Sequence, residues 1–294
     1  MSTFTKSAAT DDEIRRRVDE YLGRYVKGEN LPANLEEAVL YAVLSPGKRI
    51  RPLLVLRSCE ALGGESEKAY PAAAAIEMIH AFSLIHDDLP ALDNDDLRRG
   101  RPTVHVRFGE AMAVLAGDYL NSVAFAALAA GYPGEVGGRL CSELSGAATA
   151  MIAGQVYDTL GGFPENLSAK EKLDLIHRNK TGALIRCSCR MGAICAGADA
   201  LQLEQLTKYA EAVGLMFQVV DDVLDETQSA EQMGKRTHKD AEAGKLTYPG
   251  LFGLEGSRTQ VRELEKEALT AIETFGDSAE PLRELCRLLA VRTK

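Results

Sequence analysis

An all-α protein is the fold class that this sequence predicts, on three observations. Apolar residues recur at three- and four-residue spacing through long segments, alternating β-branched runs are few, and Pro and Gly clusters break the chain at intervals suited to helices. With 294 residues and 46% hydrophobic content the chain can build one large core. No low-complexity linker or shift of composition divides it, so residues 11–294 read as a single domain. Residues 1–10, rich in Ser, Thr and Ala, are expected to be a disordered tail.

The spacing predicts helices over 11–27, 33–44, 50–62, 70–88, 107–130, 137–160, 169–197, 203–227, 239–253, 258–274 and 279–291. Pro32 separates the first two, Ser45-Pro46-Gly47 the next, and Gly63-Gly64 stops the third. Tyr132-Pro133-Gly134 and the stretch from Gly161 to Pro164 bound the helix between them, and Ser168 with Glu171 forms a capping box at the start of the next. The Ala-rich run from Ala111 to Ala130 is interrupted by Gly117, Asp118 and Asn121, so it is expected to be a buried helix and not a membrane span.

Charge and cysteine usage exclude several functions. A formal net charge of −9 argues against nucleic-acid binding, which needs a basic surface. Six cysteines lie scattered on helix-like segments, without zinc-site spacing or disulfide density, and are expected to be free thiols in a reducing cytoplasm. Cys187 and Cys189, two apart on a helix, point away from each other and suit core packing better than a metal. The N-terminus lacks a basic region followed by an apolar stretch, so no secretory signal is expected.

Two aspartate clusters carry the chemistry. Asp87, Asp88 and Asp93 are followed by Arg98 and Arg99, and Asp221, Asp222 and Asp225 by Lys235. Each cluster follows a run of core-like residues, which a merely solvated acidic surface does not usually do. Asp221 and Asp225, at i and i+4, share one helical face. Asp87 and Asp93 would stand about 120° out of register on an unbroken helix. Pro90 resolves this, because it has no N–H to donate and disfavours helix at Leu89. Oxygen ligands without a His or Cys cluster select Mg²⁺, which combines one or two carboxylates with substrate phosphate oxygens. Lys48 and Arg51 behind Pro46-Gly47 suit an anion site at a helix start, and His80 lies two turns before Asp87 on the same face. His86 and His105 read as structural residues, and Asp95 and Asp96 as solvated groups or partners of the arginines.

These residues resemble the trans-prenyl diphosphate synthases, the family that elongates isoprenoid chains head to tail. The matches run in family order: Gly47 to Pro52, His80, His86 to His105, Gly154-Gln155 with Asp158, Lys180-Thr181-Gly182, Phe217 to Asp225, Gly234 to Arg236, and Gly244 to Pro249. The resemblance implies mostly antiparallel helices, about ten or more, around a central cavity, and usually a homodimer. It implies that Lys48, Arg51, His80 and Arg99 hold the diphosphate of isopentenyl diphosphate without metal. It places three Mg²⁺ ions on the allylic diphosphate through Asp87, Asp88, Asp93 and Asp221, joined by Asp222 and Asp225, with Arg98, Lys180, Lys235 and Lys245 on the same group. The Thr181 carbonyl and Gln218 would line the allylic cation, and a released diphosphate oxygen would take the final proton.

Product length in this family depends on bulk below the first motif. Phe82 and Ser83 lie five and four residues before Asp87, and an aromatic at Phe82 with two extra residues in the motif resembles bacterial farnesyl (C15) synthases. The stretch from Thr227 to Lys235 also resembles geranylgeranyl (C20) synthases, which keeps that product open. A class I terpene cyclase would not need Lys48, Arg51 and His80, and a non-catalytic subunit would not keep both motifs complete. A helical Ca²⁺-binding or scaffold protein would bind metal without diphosphate.

Overall fold

The chain, as a computed structural model, describes residues 9–227 and 246–291. Helices dominate: α1 (Asp11–Lys27), α2 (Ala33–Val43), α3 (Ile50–Ala61), α4 (Ser66–Asp87), α5 (Val104–Phe108), α6 (Glu110–Gly131) and α7 (Glu135–Leu160). They continue as α8 (Ala169–His177), α9 (Ala183–Cys195), α10 (Ala200–Thr227), α11 (Tyr248–Ala271) and α12 (Glu280–Ala290). A two-stranded antiparallel hairpin, β1 (Leu97–Arg98) with β2 (Arg101–Pro102), is the one β element among the described residues.

The expected helix over 169–197 is real but not uniform, since a π turn at Arg178–Gly182 joins α8 to α9. Ser168 and Glu171 form the capping box as expected. Residues 239–245 of the expected helix over 239–253 fall outside the described residues, and the structure is helical from Tyr248. Its end joins the next as α11, with a kink where Gly253 takes φ 69° and ψ 168°. The hairpin and α5 escape periodicity because both are too short to show one. Of the tail over 1–10, residues 1–8 lie outside the described residues, and the Thr10 hydroxyl accepts from Glu13 N to cap α1.

The described residues group into two compact units, 1–53 with 73–127 and 54–72 with 128–294. In the first, Ile14, Val18, Leu22 and Val26 form a buried stripe at four-residue spacing along α1. Arg49, buried and at φ 50° between α2 and α3, ties three helices together. Its guanidinium donates to Asp19 Oδ1 at 2.7 Å on α1, to Glu77 Oε1 at 2.7 Å on α4 and to the Val43 carbonyl at 2.9 Å ending α2. Burial works against its charge, but Glu77 and Asp19 outweigh that and raise its pKa.

In the second unit α10 packs against α9 and α11, and α7 against α9. Pro71, inside α4, interrupts the helical ladder. The Tyr132 hydroxyl enters the ladder beside it, donating to Lys68 O at 2.6 Å and accepting from Ala72 N at 3.3 Å. The six cysteines are unbridged. Burial pushes the Cys59 and Cys189 thiols up to about 12, and Cys187 contacts Met191 Sδ at 3.4 Å, so these are protonated core groups.

Helix α6 departs from expectation only in being partly, not wholly, buried. It is long and apolar enough to cross a membrane, yet only 44% of its most apolar stretch is buried, with Val114 and Leu115 exposed. On α7, Ile152, Val156 and Leu160 form a similar exposed apolar face at four-residue spacing.

Arg49→Met strands the Glu77 carboxylate, buried at 3% exposure, and is expected to destabilise the chain by about 3–5 kcal/mol in urea denaturation. Arg49→Met/Glu77→Leu should recover much of that loss, because the stranded charge goes with the second substitution.

Candidate active site

Helix α4 ends at Asp87, and the residues after it fold back as Pro90 requires. Asp93 N donates to Asp87 O at 2.9 Å, Asp95 N to Asp88 O at 3.2 Å and Asn94 N to Leu89 O at 3.1 Å. These bonds return the third aspartate of the motif to the first, closing the six-residue gap that an unbroken helix would leave open. Asp87 therefore stands at a helix C-terminus, whose dipole favours cations.

Asp88 has another task. Its carboxylate, 3% exposed, accepts from Arg98 Nε at 2.8 Å on each oxygen and from Arg98 Nη2 at 2.5 Å. Burial opposes the Arg98 charge, but the hydrogen bonds and charge of Asp88, with Asp95 and Asp87, hold its pKa above the ordinary value. The hairpin places the next residue, Arg99, at φ 53°, where Nη1 donates to Pro46 O at 2.6 Å.

Around this hairpin the first unit forms a cavity of about 40 Å³, lined by Tyr41, Ser45, Arg49, His80, Asp88, Arg98, Arg99 and Arg101 among others. Burial, and then the charges of Arg51, Arg99, Arg98 and Arg49, push the His80 pKa well below the usual 6.5. His80 is thus a neutral hydrogen-bonding group inside a cationic cluster. Burial likewise lowers the Arg99 pKa; Glu77 partly restores it, and Arg49 and Arg98 lower it further. Crowded guanidiniums that repel each other favour an anion of several charges between them. The sequence grouped Arg51, His80 and Arg99, and the structure brings them together. Lys48 is exposed, its carbonyl accepting from Arg15 Nε at 3.0 Å, and Arg49 serves the core.

In the second unit the π turn holds Lys180 and Thr181. A π turn carries more residues per turn than an α-helix and recurs at functional sites. Gly154 of α7 admits it, since a Cβ there would strike the Lys180 backbone, and Asp158 one turn later pairs with Lys180 Nζ at 2.5 Å. Gln155 Nε2 donates to Thr159 Oγ1 at 3.2 Å, while its buried Oε1 has no hydrogen-bond partner among the described residues. On α10, Gly214, Gln218, Asp221 and Asp225 share one face. A Cβ on Gly214 would lie 3.1 Å from Gly182 Cα, so that face rests on the π turn.

Asp222 faces differently. Its Oδ2 accepts from Tyr248 N at 2.9 Å, anchoring the start of α11. The Tyr248 hydroxyl donates to Asp174 Oδ1 at 2.8 Å, and its ring stacks on His177 with centroids 5.7 Å apart. Burial pushes His177 down to about 4, despite Asp174 and Asp158, so its 3.8 Å approach to Asp222 is not an ion pair. Sequence reasoning missed this network and the Lys180–Asp158 pair, which join residues distant in the chain. Lys235 and Lys245 lie outside the described residues.

Among the described residues no three His, Cys, Asp or Glu side chains converge into a ready-made metal cage. Pairs of oxygen donors, Asp87 with Asp93 and Asp221 with Asp225, fit Mg²⁺ that takes its remaining ligands from a bound phosphate.

Comparisons with known proteins point to one family. The polyprenyl synthetase family profile matches residues 32–282. The heterodimeric geranylgeranyl pyrophosphate synthase large subunit 1 of Arabidopsis thaliana is 46% identical over 270 residues, 89% of this chain and 73% of that protein. Two solved structures superpose closely. A geranylgeranyl pyrophosphate synthetase from Pyrococcus horikoshii has a TM-score of 0.85 and 29% identity, covering 96% of this chain and 97% of that one. An FPP/GFPP synthase from Zymomonas mobilis has a TM-score of 0.77 and 33% identity, covering 95% and 98%.

The His80 shift has a pH consequence. Below about pH 6.5 the unfolded chain takes a proton at this position that the folded chain refuses, so stability falls as pH drops. Thermal melts from about pH 7 to pH 5 should show His80→Asn losing less stability than wild type across that range.

Proposed function

We propose that this chain, which belongs to the polyprenyl synthetase family and is a short-chain prenyltransferase, makes chiefly a C15 product. Isopentenyl diphosphate is added to dimethylallyl and then geranyl diphosphate, and elongation stops at farnesyl diphosphate. The observation that carries the product length is Phe82, an aromatic ring 8% exposed on the last turns of α4 below the Asp87 motif. A C20 product is the second reading, favoured by the geranylgeranyl synthases among the relatives.

The residues divide the work between two substrates. Arg51, His80 and Arg99, with Lys48 at the rim, hold the diphosphate of isopentenyl diphosphate, whose charge the cationic cluster suits. Asp87 with Asp93, and Asp221 with Asp225, are the oxygen donors proposed for Mg²⁺ on the allylic diphosphate, with three ions expected. Asp88 acts through Arg98, and Asp222 by fastening the start of α11, while Arg98 and Lys180 are the cations proposed for the allylic diphosphate, as are Lys235 and Lys245, which lie outside the described residues. Mg²⁺, when bound, neutralises charge on the departing diphosphate.

The allylic C–O bond breaks with its electrons leaving on diphosphate. The isopentenyl double bond then attacks the allylic carbon, and a proton passes from the new chain to a released diphosphate oxygen. The Thr181 carbonyl, carried by the π turn, and the Gln218 amide oxygen stabilise the allylic cation as fixed dipoles without bonding to it.

The same reading takes residues 11–294 as one synthase domain, supported by α3, α4 and α6, each of which belongs to both units. A second copy of the chain covers the apolar faces at Val114–Leu115 and Ile152–Leu160, making a homodimer. The free thiols and their depressed acidity suit a reducing cytoplasm.

Radiolabelled isopentenyl diphosphate with each allylic primer, resolved by chain length, should give mainly C15; mainly C20 from wild type would sink the assignment. Phe82→Ala should extend the product by one or more isoprene units. Asp221→Asn should lower kcat about a hundredfold or more and uncouple Mg²⁺ binding from that of a bisphosphonate in titration calorimetry.

A further inference from the structure

We infer that His86 and Gly117 form a second tier of the product-length determinant, with His86 as the positioning residue that braces Phe82. This rests on the reading above, in which Phe82 limits the growing chain. Phe82 and His86 stand four residues apart on α4, on one face, whereas Asp87 is turned about 100° around the helix. Their rings meet edge to face, with centroids 4.9 Å apart and planes at 77°. That geometry sets the electropositive edge of one ring against the face of the other and fixes both orientations.

His86 is itself held from outside α4. Its Nε2 lies 3.1 Å from the Val114 carbonyl oxygen of α6. A carbonyl only accepts, so the bond places the proton on Nε2 and fixes the ring plane. One turn along α6, Gly117 presents bare backbone to the same ring. A Cβ there would collide with Nε2 and Cδ2 of the imidazole. The imidazole therefore leans directly on the α6 backbone and Phe82 leans on the imidazole, so the position of the Phe82 ring is set two contacts away from the substrate.

Gly117 is buried and within an α-helix, where glycine is otherwise a poor choice. Room for His86 supplies the reason for it. His86, placed directly before two aspartates, does not enter the metal or diphosphate chemistry proposed above, and its partners are Phe82 and α6.

Removing the brace should free Phe82 to swing and deepen the space beneath the allylic tail. In assays with labelled isopentenyl diphosphate and geranyl diphosphate, His86→Ala should raise the C20-to-C15 ratio about three- to tenfold, as expected from losing one aromatic pair. Gly117→Ala, which displaces the ring while keeping every side chain, should change the ratio too, and it carries the test if His86→Ala melts below the assay temperature. His86→Phe, which keeps a ring without the Nε2 bond, should restore a ratio close to wild type. Phe82→Ala/His86→Ala should give products no longer than Phe82→Ala alone. An active wild type whose ratio is unmoved by His86→Ala and Gly117→Ala, or a double variant that lengthens products additively, overturns this inference alone. A wild type unable to condense the two substrates overturns the synthase reading with it.

Discussion

The pairing of Arg98 with Asp88 is the interaction on which the aspartate motif of the first unit depends. A carboxylate next to Asp87 and near Asp93 would add to a self-repelling cluster at the negative end of a helix dipole. A bidentate partner for the buried Asp88 carboxylate removes that repulsion and makes the hairpin a fixed attachment of α4. Arg99, the next residue, is then delivered to the other side of the same turn, toward Pro46 and His80. One ion pair thus separates an acidic edge suited to metal from a basic cavity suited to bare diphosphate.

The second unit positions its own candidate residues by a backbone device. The π turn interrupts α8–α9 at Lys180 and Thr181, and small residues on both neighbouring helices let the backbone come close. Asp158 then holds Lys180, and the α10 face bearing Gln218, Asp221 and Asp225 sits against Gly182. Helices set these positions, which suits the fixed dipoles proposed for stabilising an allylic cation.

Neighbouring cations in the chain have opposite fates. Lys48, Arg49 and Arg51 read as one basic patch, but Arg49 turns inward at φ 50° to bind Asp19, Glu77 and Val43, while Arg51 contributes to the field around His80. The aspartates divide in the same way, with Asp88 and Asp222 taken up by Arg98 and the Tyr248 backbone.

The sequence by itself determined the all-α class, most helix bounds and the capping box, because these follow from spacing and local chemistry. It also determined the departure from helix after Asp87, since Pro90 has no N–H to give and its ring excludes helical backbone at Leu89. Only the tertiary structure decided which aspartate binds an arginine, which arginine enters the core, where the helix widens into a π turn and what supports Phe82. Those outcomes depend on groups tens of residues apart meeting at hydrogen-bond distance, as Lys180 meets Asp158 and His86 meets Val114. Periodicity along a chain fixes which face a residue occupies, but not which neighbour that face will meet.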